Sequence, residues 1–217
     1  MVYGLSSKPT QGYFVDFEVL DGDMDAIRLI DDSRDEGGKP LVRMSGRAID
    51  PTHVPTRVLW KDRKKQPLAD FDGGPFLSVS DRAKALIERF EPGVHQFLPV
   101  EFFDIDGELQ EKRWFFICCN RLDTIDREHV RGYMLLRGWR WRSTQAWLRD
   151  RPDEIPADYD ISQPSELVFN KDQIGCAHIW IDKHLTTGIF VSDEFDAAYE
   201  EAGMTGRIPN RRRRKTV

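Results

Sequence analysis

Two imidazoles and a carboxylate fall at alternating positions late in the chain: His178, Asp182 and His184, with Trp180 between them. On a straight strand all four share one face, and such a set is the material of a metal site or of acid–base catalysis. A metal site ordinarily shows a second spaced group of ligands, and none stands out in the sequence. The expectation is therefore a partly buried His178 with Asp182 and His184 at the surface, and no catalytic residue, metal or cofactor. A second polar set, His95, Glu101, Asn120, Asp123 and Asp126, sits at the ends of apolar segments. Together with His178 it would line a pocket if those ends converge, although capping and turn roles account for most of it equally well.

Two further clusters suit binding better than turnover. Residues 21–36 hold seven acids, Asp21, Asp23, Asp25, Asp31, Asp32, Asp35 and Glu36, against Arg28 and Arg34. The start, Asp21-Gly22-Asp23-Met24-Asp25, looks like a calcium loop, but Ala26 replaces the required glycine, Arg28 an apolar residue and Asp32 the closing glutamate. An acidic surface for a basic partner asks less of the geometry. Later, Arg137, Arg140, Arg142 and Arg149 interleave with Trp139, Trp141 and Trp147. That composition suits stacking on nucleic acid, the anchoring centre of a protein interface, or a cover over a sheet. Charge weighs against nucleic acid. The net charge of −5 includes a basic end, Arg207, Arg211, Arg212, Arg213, Arg214 and Lys215; without those six the body keeps 26 bases against 37 acids, or −11. Such a body repels polyanions and steers basic partners toward itself.

The elements that must carry these groups are partly legible. With 40% hydrophobic residues the chain can bury a core, and no apolar run approaches a membrane span; the start of the chain does not look like a secretion signal, so a cytoplasmic protein is expected. Cys118, Cys119 and Cys176 read as buried, reduced thiols. A strand is expected from Tyr13 to Leu20. Asp72-Gly73-Gly74-Pro75 is a strong breaker and the candidate boundary between an acidic region or small lobe (1–75) and a core domain (76–206), followed by a flexible basic tail (207–217). Ser80 should cap a helix whose apolar face is Ala83, Leu86, Ile87 and Phe90, stopped by Pro92-Gly93. Gln96–Phe103 and Arg113–Cys119 read as central strands joined through Asp106-Gly107, with Pro99 demanding an edge contact or a bulge. The stretch Tyr133 to Trp141 is strand-like, Thr144 to Leu148 a short helix, and Glu166–Asn170 and Ala177–Asp182 strands. A last helix, Ser192 to Ala202, ends at Gly203. Val79-Ser80-Asp81 and Val191-Ser192-Asp193 are identical at an offset of 112, which suggests two like strand–cap–helix units on one sheet. The fold class expected is α+β, a mixed, largely antiparallel central sheet with two similar amphipathic helices packed on it.

Several segments together resemble a known family: Leu77-Ser78-Val79-Ser80-Asp81, Glu91-Pro92-Gly93-Val94-His95-Gln96-Phe97-Leu98-Pro99-Val100-Glu101, Asn120-Arg121-Leu122-Asp123-Thr124-Ile125-Asp126, His178-Ile179-Trp180, Gly188-Ile189-Phe190-Val191-Ser192-Asp193 and Ala202-Gly203-Met204-Thr205-Gly206. They are similar to family eleven of the immunity proteins from bacterial polymorphic toxin systems, over roughly residues 76–206. The resemblance implies a small cytoplasmic, non-catalytic protein. It would protect its producer from a toxin delivered by type VI or related contact-dependent secretion, often a nuclease, so a basic nuclease domain is the expected partner. Fold-keeping segments need not bind; specificity is expected in the acids of 21–36 and in Trp139, Trp141 and Trp147, where the family pattern fades.

Overall fold

The computed structural model describes the chain apart from residues 6–14, 39–40, 137–138, 158, 163, 186–187 and 207–214. In chain order the strands are β1 (Val2–Leu5), β2 (Phe17–Val19), β3 (Arg57–Trp60), β4 (Phe71–Asp72), β5 (Ser78–Val79), β6 (Gln96–Phe103), β7 (Leu109–Ile117), β8 (Arg121–Leu122), β9 (Tyr133–Leu136), β10 (Arg140–Ser143), β11 (Val168–Phe169), β12 (Ile179–Asp182), β13 (Ile189–Ser192) and β14 (Lys215–Thr216). The α-helices are α1 (Asp81–Phe90), α2 (Thr144–Asp150), α3 (Lys171–Ile174) and α4 (Asp193–Glu201). Of the strand called at Tyr13 to Leu20, the described part is β2; Tyr13 and Phe14 lie outside the described residues.

The fold is α+β and mostly antiparallel, as expected, but the one central sheet of the sequence reading is two. A six-stranded sheet runs β2-β3-β6-β7-β5-β4 and a four-stranded sheet runs β1-β13-β12-β8. The two strand–cap–helix units divide between them. β5 and α1 belong to the larger sheet, β13 and α4 to the smaller. Capping chemistry repeats closely: Ser80 and Ser192 hold φ/ψ of −71°/168° and −72°/166°, and each hydroxyl accepts the amide of the third residue on, at 3.2 Å. The apolar faces then meet each other, with Phe90 and Phe195 rings 5.4 Å apart and Leu86, Ile87, Phe195 and Tyr199 in one cluster with Val79 and Val191. A local cap fixes that a helix starts; it carries no information about which sheet receives it. Burying two apolar helix faces against one another is what makes a second sheet economical in exposed area.

β6 and β7 form the centre of the larger sheet, joined by a turn in which Gly107 adopts φ 80°. Pro99 pairs across to Trp114 of β7, whereas β3 pairs only with Glu101 to Phe103, so β6 has one neighbour at the proline. The bulge lies further on, between Phe102 and Phe103. The Trp-rich excursion is a hairpin, β9 with β10, running into α2, whose Ser143 cap accepts from Ala146.

Residues 1–75 are woven into both sheets and not set apart. β1 pairs with β13, β3 with β6, and the turn at 73–75 merely links neighbouring strands β4 and β5. Ile27, Ile49, Val58 and Trp60 share one apolar cluster with Phe102 and Phe115. The basic end likewise is not tail throughout: β14 pairs in parallel with β11, and the Val217 amide donates to Phe169 O at 2.9 Å. Residues 207–214 lie outside the described residues. Cys118 is buried and burial pushes its thiol up, Cys119 is half-buried, but Cys176 is exposed, against the expectation for it. Among the described residues no helix is long and apolar enough to cross a membrane.

Candidate functional site

The polar set named from the sequence does not stay together: Asp123 faces His184, and Asp126 accepts the Glu128 and His129 amides and Asn170 Nδ2. His95, Asn120 and His178 do converge, around a residue the sequence reading passed over. Glu91 caps the C-terminus of α1, is buried, and accepts from Asn120 Nδ2 (3.0 Å), the His178 amide (2.7 Å) and the Ile179 amide (3.3 Å) while its other oxygen meets His95 Nε2. His95 Nδ1 in turn accepts the Cys119 amide at 3.1 Å, and His178 Nδ1 meets the Ser192 hydroxyl at 2.8 Å. Every member is occupied in joining α1 and β6 of one sheet to β12 and β13 of the other. This is a structural clamp, in which both His95 nitrogens and His178 Nδ1 are engaged. An acid at a helix C-terminus opposes the helix dipole, and that was the available signal for Glu91. Glu101 stands apart, paired with Lys112 at 3.1 Å on the exposed side of β6.

The alternating set also splits. His178 is in the clamp, Trp180 is fully buried, and both Asp182 and His184 are buried where a surface position was expected. Asp182 accepts the Thr124 amide (2.8 Å) and hydroxyl (3.0 Å) through one oxygen and the His184 amide (2.9 Å) through the other. Burial raises its carboxyl above the ordinary range against those bonds. The result is that His184, held by Asp182, and Asp123, next to Thr124, which Asp182 also holds, face each other at 3.4 Å.

Onto this corner the acidic segment is tied down. Asp35 makes a bidentate pair with Arg121 (2.6 and 2.8 Å) and meets Arg47 at 3.2 Å; Glu36 meets Lys183 Nζ at 2.8 Å. A Cβ on Gly37 would lie 2.3 Å from the Lys183 carbonyl, so only glycine lets the segment come this close. The Arg121 bond, against some burial, holds the Asp35 carboxyl down at about 2. A depressed carboxylate stabilises the fold above its unfolded pKa of about 4 and loses that contribution as pH falls toward the folded value. At neutral pH Asp35→Asn should cost about 1 kcal/mol, modest because the pair is part-exposed. Thermal melts of the two proteins should converge between about pH 4 and pH 2; a gap that stays constant would show that the charge is not what matters.

Of the remaining acids, Asp21 caps the turn at Thr56 and Arg57, and Asp23 and Asp31 accept amides two residues on. Asp23, Asp25, Asp31, Asp32 and Glu36 are exposed. The tryptophans divide sharply. Trp141 (6% exposed) and Trp147 (7%) are buried cover, so the anchor role expected of them is not available; Trp139 is 42% exposed. Arg140 stacks 4.5 Å from the Trp139 ring, and a Cβ on Gly38 would lie 3.6 Å from it. The Trp141 amide donates to the His184 carbonyl at 2.9 Å, which ties the excursion to the same corner. Gly38, just after the acids of 31–36, thus lies against exposed Trp139, more than 100 residues away in sequence. Arg142 and Arg149 both converge on Asp150, so those cations are engaged within the molecule.

Two cavities lie nearby, the second of them touching the same corner through Arg127 and Trp141. One of about 250 Å³ is walled by Gly73, Pro75, Phe76, Ile117 and Ile181, and one of about 360 Å³ by Arg127, Tyr133, Trp141 and Tyr159. Among the described residues one group of acids and histidine has the spacing to hold a metal ion: Glu36, Asp123 and His184. The three come from distant segments, which is why no spacing motif announced them.

A family model described as immunity protein family (Imm11) matches residues 25–210. The match begins some fifty residues before the segments that carry the resemblance in the sequence, and so takes in the acids at 25–36. No curated protein gives a match.

Proposed function

The chain belongs to the immunity protein family Imm11, and from that membership we propose that it neutralises a cognate secreted toxin by binding it, one molecule to one, over the active site or substrate groove. It would act in the cytoplasm of the producing bacterium, against a toxin delivered by type VI or a related contact-dependent route. The observation that supports a place for binding is the approach of Gly38, beside the acids of 31–36, to exposed Trp139. The family match covers both, and exposure, charge and an aromatic side chain together mark the place. A body of −11 without its basic end favours a basic partner, as a nuclease domain would be, with the acids standing where its polyanion would lie.

The decisive experiment mixes the purified protein with the toxin domain encoded beside it. A one-to-one complex that blocks the toxin is expected. Protection without a measurable complex, or rescue by substoichiometric protein, would replace blocking with a catalytic reversal of the toxin's work. Steering gives a second check. Asp31→Lys with Asp32→Lys should slow association about tenfold at low salt and change dissociation little. Equal slowing of both, or none, would remove these acids from the encounter face.

A further inference from the structure

We propose that Glu36, Asp123 and His184 form a site for a divalent cation of the zinc class, a role separate from the toxin reading and testable without the toxin. Donor atoms of the three lie within 4.8 Å of one another. Acids at a surface cluster for many reasons, and the histidine is what makes this cluster different. The His184 side chain is fully buried, and among the described residues neither ring nitrogen has a hydrogen-bond partner. Nε2 reaches Asp123 Oδ2 at 3.4 Å, an ion-pair distance without hydrogen-bond geometry, and among the described residues the buried Asp123 Oδ1 has no hydrogen-bond partner. Buried polar groups without a partner destabilise the fold, and a cation taking one imidazole nitrogen and a carboxylate oxygen would relieve the His184 ring and the Asp123 carboxylate together. Nitrogen plus carboxylate oxygens is a donor set that zinc accepts.

The spacing agrees. Ligands at about 2.0–2.1 Å from a tetrahedral ion sit roughly 3.3 Å from one another. The His184 and Asp123 atoms already stand 3.4 Å apart, and Glu36, on an exposed arm, can close the remaining distance. The pair is also held rigidly. Asp182 bonds the amides of Thr124 and His184 at once, so a single buried carboxylate sets the backbone beside both donors, in the manner of an outer shell around a metal. Against the site stand two cations: Lys183 Nζ lies 2.8 Å from Glu36 Oε2 and 3.4 Å from Asp123 Oδ2, and Arg127 lies 3.0 Å from Asp123 Oδ2. The lysine ammonium occupies the mouth, so a metal must displace it, and removing it should tighten binding. A bound ion would bolt residue 36 to β12 and its following turn.

Calorimetric titration of Zn²⁺ into the full-length, chelator-dialysed protein tests this. One equivalent should bind. Affinity should fall at least tenfold in His184→Gln and severalfold in Glu36→Gln, which sits at the surface and cannot be dismissed as misfolded. Lys183→Met should bind severalfold more tightly. Co²⁺-loaded protein should lack a thiolate charge-transfer band, since Cys176 is exposed elsewhere. The site is overturned by no stoichiometric uptake in the wild type. It is equally overturned by affinity that ignores Glu36→Gln and His184→Gln, by no gain in Lys183→Met, or by a thiolate band.

Discussion

Glu91→Ala is expected to destabilise the protein by about 3–5 kcal/mol, the range for removing one partner of a buried charged network. Four donors lose their acceptor together: the Asn120 amide, the His178 and Ile179 backbone amides, and His95 Nε2. Each unsatisfied buried donor costs about 1–3 kcal/mol, and partial relaxation brings their sum back into the stated range. Because total stability of a domain is about 5–15 kcal/mol, a loss of this size leaves a marginal fold. Glu91→Gln keeps a carbonyl acceptor and should cost less, about 1–2 kcal/mol. Burial pushes the Glu91 carboxyl up, but His95 and the amides of His178 and Ile179 together leave it below its ordinary value. Its contribution is therefore full above about pH 4.5 and fades as pH falls through the folded value. Urea unfolding at pH 7 and at pH 4 checks both points. An Ala variant within 1 kcal/mol of wild type at pH 7 would mean that the clamp does not hold the two sheets together.

Local elements were legible because local rules set them. The caps at Ser80 and Ser192, the stop after Phe90, the turn at Gly107, the strand 96–103 and the part 113–117 of its partner strand 109–117 each follow from residues within a few positions of one another, whereas the start of that partner at Leu109 and its end before Cys118 do not. What joins those elements was not. Ser80 and Ser192 have the same conformation yet serve different sheets, and nothing near either serine encodes that choice. Asp182 and His184 read as surface groups because alternation says which face a side chain takes, not whether a loop from residue 36 will cover it. Glu91, Arg121 and Lys183 escaped notice for the same reason: each acts on a partner between 29 and 147 residues away. Polar residues in caps are satisfied locally, while polar residues in clamps depend on long-range packing that periodicity does not contain. The tryptophans show the same limit. Trp141 and Trp139 are two positions apart, so they stand on the same side of an ideal strand, yet Trp139 lies just before β10 and escapes burial.

Trp139→Ala should weaken toxin binding by 2 kcal/mol or more, roughly thirtyfold, while leaving stability within about 0.5 kcal/mol of wild type. The asymmetry follows from its surroundings. At 42% exposed the indole has apolar area still to bury, and within the chain Arg140 stacks on it and Gly38 comes close to it. The arginine that stacks on it presents a cation beside an acidic segment, so the anchor is framed by charge of both signs and its orientation on a partner is selected, not merely permitted. Trp141→Ala provides the contrast. It empties a core position among Phe169, Trp180 and Phe190 and should cost about 3–5 kcal/mol of stability, with any loss of protection tracking the unfolded fraction. Trp139→Phe should recover part of the affinity, since an aromatic face remains for the partner. Affinity and unfolding measured on all three variants separate an anchor from a cover: if Trp139→Ala protects as well as wild type at matched concentration, the toxin docks elsewhere on the molecule. Loss of stability in that variant would instead make Trp139 part of the core's lid, and the acids of 31–36 would then have to bind without an aromatic centre.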